Sequence, residues 1–304
     1  MAIVADFVAD LKRGNKGKET IAGYRRCVTK FLKFVKPKNY DKITHKEIGN
    51  FYTMLREEEE LAETSVNFYH HSIKSFYNYL VDESLIDKNP TIVAGRRYIR
   101  GYKKDNAENP KMIVTTEQAR YLIKFHSNPM YRTILMLYFK TGMRREELVT
   151  LKTTSINIKE KTLTVNKRHR KRSNRTALYD DEMARQLKKW LDYRVAMAKP
   201  DTDALFVNVR GGPISNNLVQ MIVHEAAVGC GLYDANSPED KDRFSTHSTR
   251  YWFTNTLLHN GMNLMYVKIL RGDSLKKEIA WAYAKATPED LRASYDRYMP
   301  IFGI

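Results

Sequence analysis

The chain has 304 residues, with 52 Lys and Arg against 35 Asp and Glu, a formal net charge of +17 and a pI near 9.6. That length supports two domains with cores of their own, and that charge favours a polyanionic partner, nucleic acid first. The cations are spread over folded-looking segments, which argues against a membrane surface; two distant cysteines, Cys27 and Cys230, form neither a disulfide framework nor a zinc pattern, and no stretch reads as a signal peptide or membrane span, so a cytoplasmic setting is expected.

The first hundred residues read as four or five helices. Ile3, Phe7, Val8 and Leu11 form one apolar stripe, and Ile21, Tyr24, Val28, Phe31 and Leu32 a second. Thr44-x-x-Glu47 is a capping box ahead of Ile48, Phe51, Tyr52 and Leu55; Val66, Tyr69, Ile73, Phe76 and Leu80 mark a further helix face. Asn89-Pro90 reads as the end of the last of these helices. Beyond it, Arg96, Arg97, Arg100, Lys103 and Lys104 crowd a segment holding Gly95 and Gly101. Residues 95–112 therefore read as a basic linker between a helical domain, 1–94, and a second domain, 113–304. Such a linker suits a strap across a phosphate backbone.

The second domain opens on Thr115-x-x-Gln118, a capping signal, followed by apolar helices through Tyr121–Phe125 and Tyr131–Lys140. Ile156-Asn157-Ile158 and Leu163-Thr164-Val165 flank a four-residue turn and predict a β-hairpin, with Ala177-Leu178 as a possible third strand. Helical patterns follow at 181–198 and 215–228, then one from Thr246 that stops at Asn260-Gly261, a shorter one through Met265, Val267 and Leu270, and Ala280–Tyr283. Thr287-Pro288-Glu289-Asp290 starts a last helix, with Thr as N-cap and Pro at the first helical position. The expectation is a mostly α domain carrying a small sheet.

His247 and Arg250 share one face of the helix that begins at Thr246, where backbone N–H groups and the helix dipole favour an anion. Taken alone, such a pair is more often an ordinary surface feature. Its company changes the reading. Upstream, Thr141-Gly142-Met143-Arg144-Arg145-Glu146-Glu147-Leu148 breaks an apolar helix at a glycine and leads the next helix with an arginine, and Glu147 is spaced to orient the Arg144 guanidinium. After the hairpin comes a basic run of Lys167, Arg168, Arg170, Lys171, Arg172 and Arg175. Downstream of the His-x-x-Arg pair lies Tyr283, 33 residues after Arg250.

This order of motifs resembles the tyrosine recombinase (phage integrase) family, Xer-type enzymes included, over nearly the whole chain. The resemblance implies a helical, SAM-like core-binding domain and an α+β catalytic domain with a small antiparallel sheet, closing on duplex DNA as a C-shaped clamp. It implies site-specific recombination: the Tyr283 hydroxyl attacks a DNA phosphodiester to form a 3′-phosphotyrosine, and strand exchange proceeds through a Holliday junction without ATP, cofactor or metal. Arg144 and Arg250 would neutralise the phosphoryl oxygens, His247 would hydrogen-bond them or move the tyrosine proton, and Lys167, with Lys171 as runner-up, would protonate the leaving 5′-oxygen. Tyr295 and Tyr298 are the rival tyrosines among 19, in a helix where packing is the natural role. The basic residues 96–104 and 168–175 would contact DNA. The implied partners are double-stranded DNA and three further copies of the chain, with segment 284–304 either docking on a neighbour or packing on its own domain.

The chain departs from the family where Leu-Gly-His or Leu-Gly-Trp is usual. It has Leu270-Arg271-Gly272-Asp273, so a carboxylate stands where an imidazole or indole is usual, and Asp273 is expected to hold Arg271 or another cation of the site. Two rivals share the chemistry or the fold: DNA relaxation of the type IB topoisomerase kind, and a DNA-binding protein without catalysis. A metal-dependent nicking relaxase needs two histidines flanking an apolar residue, a spacing His70-His71 lacks.

Overall fold

Local capping and apolar spacing account for the helices of the computed structural model, which describes residues 2–99, 112–166, 175–237, 242–273 and 287–304. The chain divides into two units, residues 1–104 and 105–304.

The first unit holds α1 (Ala2–Arg13), α2 (Lys18–Phe34), α3 (His45–Glu57), α4 (Glu63–Asp82) and α5 (Thr91–Tyr98). The Thr44 capping box is formed: the Glu47 carboxylate accepts from the Thr44 amide at 2.9 Å, and Thr44 Oγ1 accepts from Lys46 at 3.2 Å. Phe31, Ile48, Phe51, Leu55, Ile73, Phe76 and Leu80 are fully buried in one core. Two expectations are corrected. Asn89-Pro90 starts a helix instead of ending one: α4 stops at Asp82, and Asn89 Oδ1 accepts from the Thr91 amide at 2.8 Å. That helix, α5, continues through Tyr98, four residues into the segment read as linker. Gly95 is tolerated in it because the His70 ring lies against its backbone; a Cβ there would sit 2.8 Å from His70 Cε1. His70 itself is a core residue. It shares a 2.8 Å hydrogen bond with Tyr52 Oη, and burial, then the charges of His71 and Lys74, push it down to about 4, so it is neutral at pH 7.

The second unit is built round α7 (Pro129–Thr141), whose residues Met130 and Thr133 to Thr141 are all buried. It packs against α6 (Thr116–Phe125), α9 (Asp181–Arg194) and α11 (Thr246–His259). The sheet is antiparallel in the order β1 (Ile156–Asn157), β2 (Thr162–Val165), β3 (Arg175–Leu178), with Leu163 opposite Ala177 and Val165 opposite Arg175. The remaining helices among the described residues are α8 (Arg145–Val149), α10 (Asn216–Gly229), α12 (Leu264–Arg271) and α13 (Pro288–Tyr298), the last capped by Thr287 with Pro288 at its first position. Among the described residues the protein is thus mainly helical with one small antiparallel sheet.

The segment 287–304 packs on its own domain in this chain. Tyr295, Met299 and Phe302 are buried, and the Glu182 carboxylate accepts from the Phe302 and Ile304 amides at 2.9 and 2.7 Å. Beneath them the wholly buried Lys140 ammonium pairs with Asp180 and Glu182 and donates to the Pro300 carbonyl at 2.7 Å. A buried ammonium is tolerated because it has these acceptors. Among the described residues, no helix is long and apolar enough to cross a membrane.

Candidate active site

The break between α7 and α8 sets the site's geometry. Gly142 caps α7 in the left-handed conformation, φ 56°, and Phe253 of α11 fills the place a side chain would take, with its Cδ1 2.7 Å from an added Cβ. Only glycine meets both demands. The turn frees the Gly142 carbonyl, which accepts from Arg250 Nη1, and swings Arg144 into the N-cap position of α8. Glu147, one turn on, accepts from the Arg144 amide at 2.9 Å and from its Nη1 at 3.2 Å.

Arg250 projects from the first turn of α11 into the interior, its side chain 8% exposed. Besides the Gly142 carbonyl, it donates through Nη2 to the Arg271 carbonyl at 3.0 Å and to Asp273 Oδ1 at 2.7 Å. Asp273 reaches this point because α12 ends at Gly272, again left-handed with φ 62°, which turns the chain back. The same Asp273 Oδ1 accepts from Arg144 Nη2 at 3.1 Å, and Oδ2 lies 3.2 Å from Arg271 Nε. The Asp273 carboxylate therefore pairs with three guanidinium groups.

The electrostatics follow. Burial, then the charges of Arg271 and Arg144, lower Arg250 to about 10 against the opposing pull of Asp273; it stays charged at neutral pH. Burial alone would raise the Glu147 carboxyl, but the charge of Arg175, the Arg144 backbone N–H and the Arg175 hydrogen bond outweigh it and hold the group below its ordinary value. Among the described residues the cluster sets four guanidinium groups, Arg144, Arg175, Arg250 and Arg271, against two carboxylates, Glu147 and Asp273. The surplus positive charge suits an added anion. A cavity of about 710 Å³ opens over it, lined by Arg144, Arg250 and the exposed His247, and by Met221, His224 and Tyr233.

The structure thus brings together Arg144, Glu147, His247, Arg250, Arg271 and Asp273. Lys167, Arg168, Arg170, Lys171, Arg172, Tyr283, Arg100, Lys103 and Lys104 lie outside the described residues. Arg96 and Arg97 are exposed on α5, and Arg97 Nη1 lies 3.4 Å from His45 Nε2. Tyr295 is fully buried, and its hydroxyl donates to the Lys140 carbonyl at 2.9 Å. Burial pushes this phenol well above its ordinary value.

Arg175 departs from the expectation that it contacts DNA. Its side chain is 5% exposed, and its guanidinium donates to Glu147 Oε2 at 2.9 Å and to the Leu270 carbonyl. A residue enclosed in this way has no surface to offer a phosphate backbone. The signal was present in the strand period: on β3, Arg175 falls in phase with the buried Ala177, so it points inward. Among the described residues, no group of three or more His, Cys, Asp or Glu is placed to hold a metal.

Residues 113–289 match the phage integrase family, and residues 3–87 match the phage integrase N-terminal SAM-like domain. The chain is 25% identical to the tyrosine recombinase XerC of Lactobacillus leichmannii, over 99% of both chains. In fold it is similar to the Tn1549 transposon integrase in complex with transposon right end DNA, with a TM-score of 0.72 and 17% identity over 97% of this chain and 98% of that one. It is also similar to the lambda integrase tetramer bound to a Holliday junction, with a TM-score of 0.71 and 16% identity over 92% of this chain and 76% of that one.

Proposed function

The chain belongs to the phage integrase family and is a tyrosine-type site-specific recombinase, and on that premise we propose how its own residues carry out strand exchange on DNA. The observation that carries the proposal is the meeting of Arg144 and Arg250 on one anionic oxygen, Asp273 Oδ1. Two guanidinium groups held to a common acceptor form a receptor for the non-bridging oxygens of a phosphodiester, and both keep their charge at working pH. In this reading the scissile phosphate enters the cavity over the cluster, and Arg144, Arg250 and His247 stabilise the charge that builds on it.

The tyrosine hydroxyl, assigned to Tyr283, attacks phosphorus as its proton passes to His247; the P–O5′ bond breaks, and the leaving oxygen takes a proton from Lys167. The product is a 3′-phosphotyrosine and a free 5′-hydroxyl. A 5′-hydroxyl from the partner duplex then attacks the phosphotyrosine and returns the proton count to its start. The number of phosphodiester-type bonds is unchanged, so no nucleotide is hydrolysed, and the fixed cations do the electrostatic work. Exchange of two duplexes requires four such cleavages, hence four protomers acting in two pairs; the fold shared with the lambda integrase tetramer supports that assembly. Affinity for DNA comes largely from phosphate contacts and falls steeply with salt.

The test is covalent capture. Nicked duplexes of randomised sequence are incubated with the protein and denatured, and protein-linked DNA is recovered. The expected result is a set of captured duplexes sharing a site, a product lost in Tyr283→Phe with binding retained. Capture without sequence preference, together with relaxation of supercoiled plasmid, would favour the topoisomerase-like activity. Tight binding with no capture would leave a DNA-binding protein.

A further inference from the structure

We infer that Arg175 is a positioning residue of the recombination reaction, a buried strut that sets how Arg144 and Arg250 face each other. The inference rests on the recombinase reading above. Arg175 opens β3 with its side chain turned into the domain. Its two terminal nitrogens go to two different elements of the site. Nη2 donates to Glu147, whose carboxylate also holds the backbone and side chain of Arg144. Nη1 donates to the carbonyl of Leu270, in the last turn of α12, three residues before Asp273.

Asp273 then returns to Arg144 and Arg250. The contacts close a ring: Arg175 to Glu147, Glu147 to Arg144, Arg144 to Asp273, and along the backbone from Asp273 to Leu270 and back to Arg175. The Arg175 stem also packs under the turn that delivers Asp273, since a Cβ on Gly272 would lie 2.3 Å from Arg175 Cδ. A guanidinium offers donors in two fixed directions and satisfies both elements at once. A lysine ammonium in its place keeps the charge but cannot hold both in the same geometry. Loss of the strut therefore lets α8 and the Gly272 turn relax independently, and the two phosphate-binding arginines lose their common register.

The experiment uses the full chain and a nicked duplex carrying the site recovered by covalent capture on the wild-type protein. Single-turnover cleavage at saturating protein, duplex affinity and thermal midpoint are measured for wild type, Arg175→Lys, Glu147→Gln and the double variant. Arg175→Lys is expected to cleave about 10- to 100-fold more slowly, the scale of a small misplacement of reacting groups, with affinity within about 3-fold because phosphate contacts elsewhere dominate binding. The double variant is expected to be no slower than the slower single, because both residues are links of one closed ring that a single break already opens. If Arg175→Lys does not fold, Arg175→Gln is measured in the cold, with its fold checked by circular dichroism. Cleavage at the wild-type rate in a folded variant overturns the inference. So does a loss of cleavage matched by an equal loss of affinity, or a double variant whose losses multiply. Failure of the wild-type protein to capture any duplex overturns the recombinase reading itself, a result distinct from these.

Discussion

Arg250 and Asp273 lie 2.7 Å apart, Nη2 to Oδ1, and the oxygen that Arg250 engages is the one that also takes a hydrogen bond from Arg144. A side-chain carboxylate thus sits where two guanidinium groups converge. A phosphodiester entering the site competes with that carboxylate or shares the arginines with it, and the two negative groups repel. Asp273 has opposing effects in consequence: it holds the arginines in register and it disfavours the incoming anion.

These effects separate by substitution. Asp273→Asn keeps an acceptor and removes the charge, so it should bind duplex more tightly at low salt than wild type while cleaving within about 10-fold of it. Asp273→Ala removes both and should cleave more slowly than Asp273→Asn, by roughly 10-fold or more, an effect on the scale of a displaced guanidinium. Single-turnover cleavage and a salt series of binding curves report on each; equal cleavage by Asp273→Ala and wild type would remove any orienting role.

Arg250 supplies a test in pH. Burial and the neighbouring Arg271 and Arg144 lower it to about 10, so the folded protein releases this proton before the unfolded chain does. Its contribution to stability is therefore flat below about pH 10 and rises only above it. A lysine in the same place starts from a lower value and is depressed by the same surroundings. Arg250→Lys should cleave at least about 100-fold more slowly than wild type, the scale of a lost transition-state donor. The ratio of its rate to the wild-type rate should fall further from pH 7 to pH 9 as the ammonium deprotonates. A ratio constant with pH would contradict this account of the site.

The two late tyrosines should behave differently. Tyr295→Phe deletes a buried hydrogen bond to the Lys140 carbonyl and is expected to cost about 1 kcal/mol of stability, read by denaturant unfolding. Its covalent capture of DNA should be unchanged, since a phenol held in the core cannot reach phosphorus. Tyr283→Phe should abolish capture without shifting the unfolding midpoint by more than a little. Loss of capture in Tyr295→Phe would reverse the assignment.

Glu182 pins the end of the chain to its own domain. Burial raises its carboxyl, but the Phe302 and Ile304 amides and then Lys140 outweigh that and hold it below its ordinary 4.5. A depressed carboxyl contributes stability that is complete above its unfolded value and is lost as pH falls through the folded one. Glu182→Gln should therefore cost about 2–3 kcal/mol near neutral pH, where it leaves Lys140 half-paired, and progressively less as pH drops below 4.5. Amide exchange at Phe302 and Ile304 should accelerate in the variant. Unchanged exchange there would mean that the segment is held by its apolar contacts alone.

Much of the fold was legible because its signals are local. The capping boxes at Thr44, Thr115 and Thr287 are formed by residues three apart, and the apolar spacing of α3 reappears as the buried face of Ile48, Phe51, Tyr52 and Leu55. Asn89-Pro90 misled because the same dipeptide ends one helix or begins another, and the choice depended on Asn89 capping Thr91. Gly95 read as the start of a linker, but it lies within α5 with the His70 ring against it.

The order Arg144, His247, Arg250, Tyr283 and the residue types at those positions are read from the chain itself, and the roles proposed for them rest on chemistry that such side chains carry anywhere, cations for phosphate and a hydroxyl for attack. Tertiary structure alone decided that Asp273 meets Arg144 across 129 residues, that Glu147 is the acceptor the inward-facing Arg175 finds, and that residues 287–304 lie on their own domain. The physical reason is the same in each case. A charged group's role depends on what covers it and which acceptors reach it, and here those acceptors come from distant helices and turns that no local period connects.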